Sequence, residues 1–170
     1  LVGSVGTTVT ASDVVIDNTQ STADGIGGWG INVQYGATLA LFHALVSGNR
    51  EVGMLVSSEA IVTASDVVIE NTQSEADGIG GWGISLQDGA TLTLSRALVS
   101  GNREVGMWVS NAGTSLAASD VVIENTKAAA CEEDPLLDCS FAGEGWGDGM
   151  LVLGGADILL DNFTLKDNAR

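Results

Sequence analysis

Positive charge is scarce in this chain: its 170 residues hold 6 Lys and Arg against 22 Asp and Glu, a formal net charge of −16 at pH 7. That balance excludes nucleic acid and anionic membrane surfaces as partners, because a phosphate backbone rewards Lys and Arg. Long apolar runs are missing as well. None approaches the roughly 20 residues of a membrane-spanning helix, so membrane insertion is not expected. With 1 His and 2 Cys, the chain has too few soft ligands for a structural zinc site. No stretch places apolar residues at the helical period. What is present is a 45% apolar share, enough to build a core and to argue against disorder.

The chain is also repetitive. Ser12-Asp13-Val14-Val15-Ile16 returns at Ser65 and again at Ser119, steps of 53 and 54 residues. Gly25 to Ile31 returns as Gly78 to Ile84, and Leu45 to Met54 returns as Leu98 to Met107. A long fixed period of this kind marks a repeat architecture. Each unit divides again: the steps Gly30 to Gly53, Gly53 to Gly83, Gly83 to Gly106 and Gly106 to Gly149 are 23, 30, 23 and 43 residues. The base unit is 23 residues, and every second unit carries an insertion, at 20–28, 73–81 and 127–148.

Within a unit the apolar residues alternate, as in Ile31/Val33, Leu39/Leu41 and Ala44/Val46. Period-two pairs between turn residues are short β-strands. Three of them per 23 residues describe one rung of a parallel β-helix, each strand pairing with its copy in the next rung at roughly 4.8 Å. Parallel crossovers are overwhelmingly right-handed. The expected fold is an all-β right-handed parallel β-helix of about six rungs, with residues 1–170 forming one segment and an inward column of Ile16, Val46, Ile69, Val99, Ile123 and Leu165. Asn18, Asn49, Asn71, Asn102, Asn125 and Asn168 mark corners, where Asn tolerates left-handed backbone and stacks its amides from rung to rung.

Asn-cornered rungs carrying Gly-Ile-x-Val-x-x-Gly-Ala-x-Leu-x-Leu, read at Gly30–Leu41, resemble right-handed parallel β-helix repeat proteins of the pectin-lyase-like superfamily. The nearest likeness is to large secreted or surface repeat proteins of myxobacteria and their relatives. The resemblance implies the fold throughout, apart from the insertions. It implies little about function, because the superfamily spans polysaccharide lyases, hydrolases, epimerases, adhesins and proteins without known activity. The chain opens partway through a rung and shows neither leader nor capping rung, so it is read as a fragment of a longer protein.

Several residues carry possible chemistry. Cys131 and Cys139 bracket an acidic loop in the longest insertion and are expected to form a disulfide, which places the chain outside the cell or on its surface. No cofactor is expected. Ca²⁺ held by Glu132, Glu133, Asp134 and Asp138 is the alternative reading of that loop. The Gly25-x-Gly27-x-x-Gly30 motif lacks the following helix that dinucleotide binding requires. One outer position reads Asp13, His43, Asp66, Arg96, Asp120 and Asn162 down the rungs. Alternating signs remove the repulsion of stacked like charges, and the rival reading is an acid–base cluster of His43, Asp66, Arg96 and Asp120. Trp29, Trp82 and Trp146 recur at the insertion ends, roughly 9.6 Å apart. They either close the core edge or stack on successive sugars of a glycan.

Another outer position reads Val15, Leu45, Val68, Leu98 and Val122, an aliphatic stripe about 19 Å long that suggests a contact surface. The column Gln34, Ser57, Gln87 and Ser110 is expected to be solvated. The expectation that follows is a secreted or surface-exposed structural or interaction segment without catalysis of its own. Its partners would be further copies, other parts of the parent protein, or glycans. A carbohydrate-active β-helix and a non-catalytic glycan-binding module are the alternatives.

Overall fold

The computed structural model describes residues 1–22, 27–75, 78, 80–128 and 147–169. Twelve strands run in chain order: β1 (Val2–Gly3), β2 (Thr8–Asp17), β3 (Ile31–Gln34), β4 (Thr38–Ser47), β5 (Val52–Val56), β6 (Ile61–Glu70), β7 (Trp82–Leu86), β8 (Thr91–Ser100), β9 (Glu104–Val109), β10 (Ser115–Glu124), β11 (Gly147–Val152) and β12 (Asp157–Lys166). No helix occurs among the described residues. Odd-numbered strands form one six-stranded sheet and even-numbered strands the other, each ordered along the chain. Every pairing is parallel, so consecutive odd and even strands make one rung of a six-rung parallel β-helix.

The two strands of the second and third apolar pairs are joined. In β4 the buried residues are Leu39, Leu41, Ala44 and Val46, while Phe42 and His43 both lie outside. His43 takes a left-handed φ of 51°. One left-handed residue shifts the period-two alternation by one, so both pairs still face the core. The equivalent residues of the other rungs, Asp13, Asp66, Arg96, Asp120 and Asn162, have φ between 47° and 56° and drop out of the ladder, which resumes on their far side. The sequence pattern suggests three separate strands per rung; the bend makes two of them one continuous strand.

Core volume is conserved rung by rung. Leu41, Ala64, Leu94 and Ala118 stack in one column and Ala44, Val67, Ala97 and Val121 in another. Each of these four rungs therefore pairs one larger with one smaller residue at these two positions, as close packing demands, whereas the outermost sixth rung places Leu160 and Phe163 there. The alternation explains why the sequence repeats every two rungs rather than every one. Val46, Ile69, Val99 and Ile123 are completely buried, whereas Ile16 and Leu165, in the outermost rungs, are half-buried and exposed.

Two expectations need correction. The six asparagines do not share one column. Asn18, Asn71 and Asn125 occupy the left-handed corner, with φ of 55° to 56°, and Gly48 and Gly101 occupy the same corner in the rungs between. A Cβ on Gly48 would lie 2.9 Å from Asn18 Oδ1, and one on Gly101 2.8 Å from Asn71 Oδ1, so glycine makes room for its neighbour's amide. Asn49 and Asn102 sit one residue further on and are fully buried, each accepting a backbone N–H from Thr19 or Thr72 through Oδ1. Two interleaved columns, Asn/Gly and Thr/Asn, replace the single ladder. The presumed solvated column also fails in half its members: Ser57 and Ser110 are buried. Ser110 lies under the Trp108 indole, whose N–H it accepts at 2.9 Å.

Candidate functional site

The outer column of β2, β4, β6, β8, β10 and β12 brings the charged candidates together. Each sits at the strand bend, where left-handed backbone favours Asp, Asn and His; all of them but Arg96 thus have a backbone reason before any chemical one. Arg96 grips Asp66 with two parallel hydrogen bonds, Nε to Oδ1 at 2.7 Å and Nη2 to Oδ2 at 2.6 Å. His43 Nε2 lies 4.0 Å from the same carboxylate, and Asn162 donates to Asp120. The Arg96 hydrogen bonds hold Asp66 below the ordinary carboxylate range, and Asp66 in turn raises Arg96. A general acid needs the opposite shift. The ridge is exposed, and two cavities among the described residues open elsewhere. One is ringed by Leu1, Val9, Ile16 and Leu39 at an end of the core, and the other lies beside Tyr35, Glu59 and Asp88.

The insertions are held by residues the sequence reading did not single out. Glu51 accepts Gly27 N–H through Oε2 at 3.0 Å, and its carbonyl accepts Gly81 and Trp82 N–H at 2.7 and 3.0 Å. Arg50 reaches Gln20 Oε1 at 3.3 Å and Ser74 O at 3.0 Å. One plain rung thereby clamps the insertion before it and the insertion after it. Glu104 repeats the role on Gly80 N–H at 3.0 Å. Its burial raises its pKa, countered in part by the Trp82 indole and the Gly80 amide. The Arg-Glu pairs were legible as part of the repeat, at Arg50-Glu51 and Arg103-Glu104. Their function as clamps needed the insertions placed over them.

Trp29 and Trp82 are half-buried where the insertions re-enter the rungs. Trp82 stacks on Trp108 of the next rung, with ring centroids 5.0 Å apart and planes 11° from parallel. Trp108 departs from the repeat, since Leu55 stands at its position one unit earlier. Val15, Leu45, Val68, Leu98 and Val122 point outward in one continuous column ending at Thr164. Val15 is 69% exposed and the other four aliphatics are half-buried. Trp146, the cysteines Cys131 and Cys139, and the acidic residues Glu132, Glu133, Asp134 and Asp138 lie outside the described residues.

Residues 3–128 match a family described as a right handed beta helix region. No curated protein and no solved structure matches the chain.

Proposed function

The chain belongs to the right handed beta helix family, and from that footing we propose that it is a structural and interaction segment of a secreted or cell-surface protein, without catalysis of its own. The observation that carries this reading is the engagement of the charged column with itself. Both donor arms of Arg96 close on Asp66, and the column recurs at a bend that every rung possesses. An active site is a departure from a repeat, and these residues are the repeat. The aliphatic stripe from Val15 to Val122 supplies the contact surface, toward further copies or other parts of the parent protein, because contiguous exposed apolar columns mark interfaces. The cysteine pair at Cys131 and Cys139, read as the two ends of a disulfide, supports the extracellular placement.

Incubation with acidic and neutral polysaccharides tests this reading. No release of unsaturated or reducing ends is expected. Release that disappears in Arg96→Ala or His43→Ala would overturn it in favour of a carbohydrate-active enzyme. For glycan binding through the tryptophans, the Trp82–Trp108 stack matters: it occupies one ring face of each indole and so removes that face from stacking on a sugar.

A further inference from the structure

The even-numbered sheet carries a second outer surface, on columns separate from the aliphatic stripe. Its principal members are Thr8 and Thr10, Thr38, Thr63, and Thr91 and Thr93. Strands β2, β4, β6, β8 and β10 pair here without a slip in register, Thr8 to Thr38 to Ile61 to Thr91 to Ser115 and Thr10 to Ala40 to Thr63 to Thr93 to Ala117. The two columns therefore form straight ranks of hydroxyl and methyl groups. None of these ten positions is charged, in a chain of net charge −16. The array ends at the sixth rung, where Asp157 and Leu159 take the two positions. Among the described residues, none of the six threonine hydroxyls makes a hydrogen bond to another protein group. They are left to water.

The geometry points to ice as the partner of this face. Rungs repeat at roughly 4.8 Å, and alternate residues along a parallel strand at roughly 6.6 Å. In tetrahedral ice, hydrogen bonds of about 2.75 Å between oxygens give lattice repeats of about 4.5 Å and about 7.3 Å. The two nets agree to about a tenth in each direction, so across five rungs the mismatch stays at about a quarter of a lattice repeat. Methyl groups restrict the orientations of the water beside them, and hydroxyls anchor that water by hydrogen bonds nearly as good as direct ones. A charged side chain would hold water in a radial shell instead, and these columns exclude charge.

Other occupants fit less well. Sugar-binding faces rely on aromatic rings, and neither column contains one.

The test is thermal hysteresis with ice-crystal shaping, measured on the 170-residue chain. The chain is expected to hold faceted crystals below their melting point. Thr63→Lys with Thr93→Lys should lose both effects while keeping the β-rich circular dichroism spectrum. Thr10→Lys, in the outermost described rung, repeats the test where packing against neighbouring rungs is least. Leu45→Lys with Leu98→Lys, on the aliphatic stripe, should leave ice activity intact and so separates this face from the proposed interface. An unmutated chain that neither shapes crystals nor depresses freezing would overturn the inference. So would activity that survives the threonine-to-lysine changes, or adsorption to crystalline cellulose in the absence of ice activity.

Discussion

Leu94 is the residue whose truncation the packing scheme judges most severely. It is completely buried, and its column neighbours in the rungs on either side are Ala64 and Ala118. The complementary position in its own rung is Ala97, also small. Leu94→Ala removes three carbons, about 2.4 kcal/mol of transfer free energy at about 0.8 kcal/mol each. It also leaves a cavity that three surrounding alanines are too short to fill. Leu→Ala losses range over about 2–5 kcal/mol according to how far a site can collapse, and this site belongs at about 4 kcal/mol or above. Adding Ala97→Val converts the rung to the Ala/Val type already present in Ala64/Val67 and Ala118/Val121. Two methyl groups return, and about 1–2 kcal/mol should return with them. Urea unfolding followed by circular dichroism, run as a double-mutant cycle, measures both numbers. A Leu94→Ala loss under about 2 kcal/mol, or an Ala97→Val change that adds its own penalty with no rescue, would refute rung-wise volume conservation.

Further predictions concern close approaches and buried polar groups. Gly53 has ordinary backbone, but an added Cβ would stand 2.6 Å from Ile69 Cγ2 and 2.7 Å from Gly83 O; because a carbonyl of the next rung cannot yield, Gly53→Ala should cost about 3 kcal/mol in urea unfolding. Asn102→Ala strands the Thr72 N–H and the Ile69 carbonyl, and the same assay should show a loss of about 2–4 kcal/mol. Glu104 has a raised folded pKa, so its charge opposes folding at neutral pH, and stability is regained as pH falls through that pKa toward 4.5. Glu104→Gln should therefore match or exceed the parent at pH 7 and lose that advantage in acid, whereas Glu104→Ala, without an acceptor for Gly80 N–H, should be destabilised by about 1–2 kcal/mol at either pH. Unfolding midpoints of the three proteins across pH decide this.

The fold was legible because its signals are local and repeated. Ile31, Val33, Leu39, Leu41 and Val46 alternate in the sequence and are all buried, and copies of the same pattern at fixed steps leave one architecture. What escaped the sequence reading depends on contacts between rungs. Asn18 and Asn49 look alike as letters, yet one fills an exposed left-handed corner and the other a buried cradle. Alignment by chemical type missed the one-residue offset that Gly48 marks. Charge alternation from His43 to Asp120 was visible in the sequence. The shared left-handed bend was hidden, because Arg96 occupies it without belonging to the residue types that favour positive φ. Trp108 carries no repeat signal, because it is a single departure from the pattern.

The most direct test of the functional account is the titration of Asp66, followed by carboxyl NMR chemical shifts in the parent and in Arg96→Ala. The account predicts a midpoint below the ordinary value of 3.8, held there by the Arg96 hydrogen bonds, and a rise toward that value when the guanidinium is removed. A midpoint at or above the ordinary value in the parent, with no response to Arg96→Ala, would contradict it. It would show a carboxyl free to act as an acid rather than one engaged by its own column.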